Sequence, residues 1–377
     1  MRLFRDRRKL SPRYIPDRLP HRERQIEELL MFFPDVESDV TTVVQLVGVA
    51  GSGKTSTAVN VARILEKKGL RYAYVNMKTA QSKFLVYKSL VDCIEPDLIK
   101  SRSISPEEVL RKFLKELRKR KLRVFVIFDE IEYYIRSSRD TSIIYDFTRL
   151  NEVFMGQDPR VLGVVLISRE LRWRDYLDPA ERSSLGNLVL NFPPYKREEV
   201  EDILYYRIEE AFHRGAVTDE VVDYVAEVTV SDANGDIRYA LDILLYAGIL
   251  AENEGAEKVT VEHVRKVLSQ LNPYITTEEL LLLSDKEKLI LLALAYQLRK
   301  SGEPYTSFTE LYDEYKDVCE VYGHGYNIRS FENHLQSLID KGIIELKGVK
   351  RVGINVPTTR LIPFLERIIE NLSSEMG

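Results

Sequence analysis

Gly48-Val49-Ala50-Gly51-Ser52-Gly53-Lys54-Thr55, followed by Ser56, decides the fold of this 377-residue chain. The octet matches G-x-x-x-x-G-K-[ST], and its setting matters as much as its letters. The apolar run Val43–Val47 precedes it and the helical pattern Ser56–Lys67 follows it. In such a strand–loop–helix the glycines let successive backbone N–H groups turn inward on phosphate oxygens, and the helix adds its positive N-terminal end. Lys54 is expected to pair with the β- and γ-phosphates of a nucleotide, and the Thr55 hydroxyl to bind Mg²⁺. The competing reading is a glycine-rich turn that binds nothing, and the flanking strand and helix weigh against it.

Outward from this loop, residues 41–190 alternate short β-branched runs with amphipathic helices, the pattern of an α/β domain. The runs Val43–Val47, Arg71–Val75, Val124–Phe128, Val161–Ile167 and Leu188–Phe192 are predominantly apolar, interrupted only by Gln45, Arg71 and Asn191. They predict strands of a parallel sheet covered on both faces. Between the second and third, Ser105-Pro106-Glu107-Glu108 marks a helix start: Ser caps, Pro fills the first turn and Glu108 reaches back. The third run ends in Asp129-Glu130. Asp129 is expected to hold Mg²⁺ through water, and Glu130 to polarise an attacking water. Acids merely solvated at a strand end are the plain alternative, which the P-loop disfavours.

Pro193-Pro194 breaks this pattern. Helices are predicted near 196–213, 219–229, 235–253 and 261–271, a small bundle whose end Asn272-Pro273 punctuates. Ser284-Asp285-Lys286-Glu287 then caps the first of three helices (285–300, 308–320, 327–341), followed by the extended runs Ile343–Lys347 and Val352–Val356. Three helices and a two-stranded wing read as a winged helix. The predicted domains are thus 1–194, 195–275 and 276–377. A 44% hydrophobic, 30% charged composition fits a folded protein, and a net charge of −4 excludes a uniformly basic nucleic-acid binder while allowing a local basic surface. No apolar run reaches the ~18 residues of a membrane helix, so no membrane partner is expected. The basic start (Arg2, Arg5, Arg7, Arg8, Lys9) lacks an apolar h-region, so secretion is not expected. This start reads either as a source of non-specific attraction or as a disordered, solvated arm. Cys93 and Cys319 read as reduced thiols of a cytosolic protein.

These residues resemble an AAA+ ATPase and, more narrowly, the archaeal replication initiators related to the origin recognition complex and the cell-division-control helicase loader. Tyr14-Ile15-Pro16 and Leu19-Pro-His21-Arg22-Glu23 resemble the family's purine-binding segment. Ile167-Ser168-Arg169-Glu170-Leu171 stands at the sensor-1 position, and Leu177-Asp-Pro-Ala-Glu-Arg182-Ser-Ser-Leu185 resembles the segment carrying inter-subunit arginines. Gly235-Asp-Ile-Arg238-Tyr-Ala-Leu-Asp242 is similar to sensor 2. The resemblance implies an α/β AAA+ P-loop core, an all-α lid and a C-terminal winged-helix domain. It also implies an ATP/ADP site with Mg²⁺, in which Arg238 crosses from lid to γ-phosphate and Arg182 is the inter-subunit candidate. Two positions depart from the family: Arg169 replaces an Asn that positions the hydrolytic water, and Ala180 stands where an Arg follows Asp-Pro. Both argue against fast or partner-stimulated hydrolysis, and read either as a slow ATP-to-ADP timer or as a divergent paralogue.

The family also carries a DNA-touching helical insertion, whose counterpart here runs from about Lys78 to Lys100 and includes Lys83 and Lys88. An ordinary solvated helix face is the other reading of that stretch. In helix 327–341, Ile328, Phe331, Leu335, Leu338 and Ile339 recur at core spacing, which turns Arg329, Ser330, Asn333 and Ser337 outward. Arg and Asn read guanine and adenine edges bidentately. The turn Lys347-Gly-Val-Lys350-Arg351 offers cations for phosphates. Residues 324–360 carry six bases against three acids, whereas 276–320 carry ten acids against five bases, so a DNA face here is narrow. The resemblance implies a cytoplasmic, nucleoid-associated protein that marks origin DNA. It further implies help in loading the replicative helicase, and a paralogous initiator as a companion. Two alternatives remain: a P-loop signalling ATPase whose winged helix is a protein-docking or autoinhibitory module, and a transcription regulator with a vestigial nucleotide site.

Overall fold

A computed structural model describes residues 2–34, 40–100, 103–150, 158–271, 277–348 and 350–375. They form two compact units, one of Ile15–Glu199 with Ala233–Ile237, the other of Met1–Tyr14, Val200–Asp232 and Arg238–Gly377.

In the first unit the five apolar runs become β1 (Thr42–Gly48), β2 (Arg71–Asn76), β3 (Val124–Asp129), β4 (Val161–Ser168) and β5 (Val189–Phe192). The sheet order is β2-β3-β4-β1-β5 and every pairing is parallel. Central β3 and β4 are buried at every position, as strands covered on both faces must be, while edge strand β2 is only partly buried. The helices of this unit are α1 (Glu23–Met31), α2 (Lys54–Lys67), α3 (Lys83–Asp92), α4 (Pro106–Lys119), α5 (Ile131–Ser138), α6 (Ser142–Thr148) and α7 (Pro179–Leu185). Helix α4 starts in the expected reciprocal cap between Ser105 and Glu108. Because β1 lies between β4 and β5, the chain reverses direction across the sheet there, and a crevice opens at the carboxyl ends of the strands.

The second unit begins with α8 (Arg197–Ala211), α9 (Asp219–Ala233), α10 (Ile237–Asn253) and α11 (Val261–Leu271), close to the four predicted helices. Asn272-Pro273 and the expected 275/276 boundary lie outside the described residues. The N-terminal segment groups with these helices rather than with the sheet. Phe4 stacks on Phe212 with ring centres 4.5 Å apart, and the Leu3 and Phe4 amides donate to Glu252 Oε1 at 2.7 and 3.1 Å. Burial of Leu3, Phe4 and Leu10 supplies the apolar contact that orders this arm.

The remainder is α12 (Thr277–Leu281), α13 (Asp285–Ser301), β6 (Tyr305–Ser307), α14 (Phe308–Val321), α15 (Ile328–Asp340), β7 (Glu345–Lys347), β8 (Arg351–Gly353) and α16 (Thr358–Glu375). The predicted wing is larger than expected: β6 joins an antiparallel sheet of order β6-β8-β7, and α16 adds a final helix. The run Leu289–Leu298 is buried on nearly every side, making α13 the centre of an apolar core that extends from Leu280 to Ile369. Buried Arg265 of α11 donates to the carbonyls of Ile354, Glu303 and Pro304, tying the bundle to the winged helix within this unit. No helix among the described residues is long and apolar enough to cross a membrane.

Two assignments on α15, one inward and one outward, need correction. Ile328 is 56% exposed rather than in the core, because it is the first residue after the Asn327 cap and precedes the packed face. Ser337 does not face outward: its hydroxyl donates to Glu287 Oε1 of α13 at 2.8 Å. Partial burial works against ionising Glu287, but hydrogen bonds from Lys341, the Ser284 amide and Ser337 outweigh it and push its pKa down to about 2. A carboxyl depressed from 4.5 stabilises the fold fully above pH 4.5 and loses that effect as pH falls toward 2. The expected result for Glu287→Gln is a lower melting temperature at pH 7, with the gap to the wild type closing between pH 4.5 and about 2. A gap that stays constant on acidification would show that Glu287 acts through shape alone.

Candidate functional site

The crevice at the end of β1 is built mainly from backbone. Gly51 and Gly53 adopt φ of +66° and +89°, the left-handed region open to glycine, which aims the loop amides inward. A Cβ on Gly51 would lie 1.7 Å from Asp236 Oδ1, so the Gly235-Asp236 segment walls the loop on that side. Ser52 is fully buried and its hydroxyl donates to the Val49 carbonyl at 2.9 Å, while Thr57 N–H donates to Gly53 O to start α2. Val49, Ala50 and Ser56 are half-buried on the loop and first helical turn. The Lys54 ammonium donates to Gly48 O and Val49 O at 2.6 Å each, and so stands over the mouth of its own loop.

Arg22, expected to touch nucleotide, braces this loop. Only 2% exposed, it donates to Ser52 O at 2.8 Å, to His21 O at 2.7 Å and to Pro193 O at 2.9 Å, with its guanidinium 3.8 Å from the Tyr195 ring centre. Burial lowers its pKa, but a guanidinium remains charged at any physiological pH. His21 sits at φ +63° with Nδ1 3.9 Å from Glu199. Ile15 packs against the core and its carbonyl accepts from Arg63. Tyr14 falls in the other unit, where its hydroxyl donates to Glu210 and lies against Lys9 and Arg207.

Asp129, at the end of β3, meets the loop. Thr55 Oγ1 donates to Asp129 Oδ2 at 2.8 Å, and Tyr74 of β2 donates to the same oxygen at 2.9 Å. Burial, then the Asp129 charge, pushes the Tyr74 pKa up, so it stays a donor. A hydroxyl and a carboxylate side by side are the hard oxygen set that suits Mg²⁺, which takes its remaining ligands from water and phosphate. No cluster of three or more His, Cys, Asp or Glu gathers a metal among the described residues, so a cation here depends on that shared coordination. Glu130 opens α5 at φ +60°, and two groups flank its carboxylate: Asn76 Nδ2 donates at 3.3 Å and Arg169 Nη2 lies 3.8 Å away. Arg169 N–H also donates to Glu132 Oε1, and burial raises the Glu132 pKa.

Several of these residues went unread in the sequence. Asn76 and Tyr74 were within reach, since parallel pairing brings the ends of β2 and β3 side by side. Gln45 and Arg174 were not: Arg174 Nε donates to buried Gln45 Oε1 at 2.8 Å, and Arg174 O accepts from Arg182. Arg182 itself is half exposed on α7, which starts in a cap made by Asp178 and Glu181. Arg238 lies in the first turn of α10, in the helical unit.

On the winged helix, Arg329 and Asn333 are exposed and Ser330 is half-buried, with Ser330 O against His334 Nδ1. Lys350 and Arg351 are exposed on the wing. The other proposed DNA cations are engaged within the protein. Lys347 pairs with Glu227 of α9; Lys83 pairs with Asp146 at 2.8 Å and Glu107 at 3.2 Å; Lys88 pairs with Asp92 one turn on. The Lys88–Asp92 pair is an i,i+4 neighbour that helix periodicity shows, whereas Lys83 and Lys347 needed partners from other elements that it could not identify.

A parallel sheet of order β2-β3-β4-β1-β5 with a P-loop, an all-α lid and a winged helix define an AAA+ protein. The family model for the Cdc6 AAA+ ATPase-type lid domain matches residues 201–269, and that for the CDC6 C-terminal winged helix domain matches residues 278–355. The chain is 33% identical over 355 residues to an ORC1-type DNA replication protein 1 of Sulfurisphaera tokodaii, covering 93% of this chain and 87% of that one. It is 31% identical to the ORC1-type DNA replication protein of Pyrococcus horikoshii, over 93% and 85%. Among solved structures, Cdc6p of Pyrobaculum aerophilum aligns with a TM-score of 0.80 at 27% identity over 98% of this chain and 99% of that one. ORC1 of Aeropyrum pernix, solved in complex with DNA, aligns with a TM-score of 0.63 at 27% identity over 97% and 99%. ORC2 of the same organism, solved as ADPNP–ADP complexes, aligns with a TM-score of 0.64 at 25% identity over 99% and 100%. The chain belongs to the archaeal Cdc6/ORC1-type family of replication initiators.

Proposed function

We propose that the chain is an ATP-switched, origin-binding initiator that acts on nucleoid DNA in the cytoplasm and helps load the replicative helicase, alongside a paralogous initiator. The observation that carries this reading is the 2.8 Å contact of Thr55 with Asp129 beneath the P-loop, in a chain whose lid and winged helix are those of the family. ATP supplies the phosphates and, with Mg²⁺, the charge that differs between the switch states. Gly48 to Ser56 bind and orient it, Ile15 and His21 line the base side, and Arg238 reads the γ-phosphate from the lid. Glu130 orients the attacking water, but Asn76 and Arg169 hold its carboxylate from two sides, which supports slow hydrolysis. Arg182 serves a neighbouring subunit's nucleotide.

Duplex DNA meets α15 and the wing. Lys350→Ala and Arg351→Ala are each expected to weaken all duplexes alike and to flatten the salt dependence by about one unit. Arg329→Ala or Asn333→Ala should instead relax preference at one base pair by about 1–3 kcal/mol. Fluorescence anisotropy over a salt series measures both, and an unchanged slope removes the wing from phosphate contact. The Lys347–Glu227 pair is the observation that favours a protein-docking winged helix in a signalling ATPase instead. Capture and sequencing of source-genome fragments by the ATP-loaded protein decides: a few enriched loci support the initiator, and no enrichment over bulk DNA supports docking.

A further inference from the structure

The folded N-terminal arm presents charge that the winged-helix account leaves unused. Phe4 and Phe212 form an antiparallel bridge, His213 N–H donates to Leu3 O, and Arg5 N–H donates to Ala211 O. That register sets Arg2 opposite Arg214 and brings Arg5 beside the end of α8. Arg2, Arg5, His213 and Arg214 are all exposed.

The acids of the arm and its dock are already engaged by other cations: Asp6 with Arg8, Glu252 with Arg7, and Glu210 with Lys9. Exposed Glu209, one turn before His213, leaves three arginines against one acid. The arm is also held at a fixed place. A Cβ on Gly248 would lie 2.4 Å from the Phe4 ring, so α10 and the arm are in close contact there. No large apolar side chain is exposed in residues 2–14 or 211–217, which leaves the patch without the apolar anchors that a membrane surface would need.

We propose that Arg2, Arg5 and Arg214 form a second, sequence-independent contact for the phosphodiester backbone of duplex DNA, on the lid side of the unit that carries the winged helix. Three guanidiniums carried on a backbone held in register suit phosphate oxygens, which they bind bidentately. Like charges set opposite one another are mutually unfavourable, and a polyanion relieves that repulsion. The inference rests on the proposed DNA binding, and its test separates the two. Full-length protein is titrated with a random-sequence duplex of roughly 30 base pairs, over a range of salt set by counterion release. The wild type is compared with the triple variants R2S/R5S/R214S and R2K/R5K/R214K and with the wing variant K350A/R351A.

The expected result is a slope of log affinity against log salt that is shallower by about 2–3 units in the serine triple and restored in the lysine triple, with melting temperatures unchanged. A serine triple with the wild-type slope, while the wing variant loses affinity, overturns the patch and leaves the proposed function standing. A loss that lysine does not restore also overturns it. A wild-type protein with no duplex affinity overturns both.

Discussion

Lys54→Ala is expected to abolish ATP binding, raising the dissociation constant by about a hundredfold or more, while the sheet stays folded. The Lys54 ammonium is 8% exposed and rests on the carbonyls of Gly48 and Val49, at the place where phosphate oxygens enter the loop. Two charge-assisted hydrogen bonds to phosphate, each worth about 1.5–3 kcal/mol, disappear with it. The two carbonyls lie on a half-buried loop that water reaches, so the cost to stability is small. Isothermal titration with ATP measures the loss, and circular dichroism checks the fold. An affinity within about twofold of the wild type would falsify the phosphate assignment. The same variant in the genome-fragment capture shows whether nucleotide gates DNA choice.

Arg22→Ala is expected to be the most destabilising of these changes. Three carbonyls on separate stretches of chain, at residues 21, 52 and 193, would lose their shared donor. An acceptor left without a partner in a buried site costs about 1–3 kcal/mol, so a total near 3 kcal/mol or above is expected. Ser52 would then no longer be held, and ATP affinity should fall more than about tenfold as a secondary effect. Arg22→Lys should not rescue either property, because three donors on one nitrogen cannot span the carbonyls that Nε, Nη1 and Nη2 reach separately, nor offer a planar face to Tyr195. Thermal melting with and without ATP separates the roles. An unchanged melting temperature with lost ATP affinity would make Arg22 a direct ligand rather than a brace.

How much of this was legible in the sequence depended on the range over which each signal acts. The five strands were readable because Val124–Phe128 and its counterparts are predominantly apolar runs, as burial on both faces of the central strands requires. The caps at Ser105 and Ser284 were readable because a capping box closes within four residues. Strand β6 was not, since Tyr305–Ser307 has three residues and its partner β8 lies more than forty residues further on. Helix α16 did carry a signal in Leu361, Ile362, Leu365 and Ile369 at helical spacing, all of which are buried. Within the site, Thr55 and Asp129 followed from the chemistry of phosphate and cation. The engagement of Lys83 and Lys347 did not follow, because a charge in one dimension does not show which acid the fold brings to it, whereas Lys88 and Asp92 stand one helical turn apart and could have been paired. Arg22 sits in a motif that suggested nucleotide contact, and only its burial among carbonyls revealed the brace.

The wall that Asp236 sets against Gly51 has a consequence for the order in which the protein is made. Residues 52–235 must be synthesised before that wall exists, which at about 5–20 residues per second is roughly 10–40 s of translation. Through that interval the P-loop hangs on a nascent chain with one side open, beside a parallel sheet whose non-local pairing is slow to close. A ribosome pausing before codon 236 therefore leaves the loop open on the side that Asp236 closes in the finished protein.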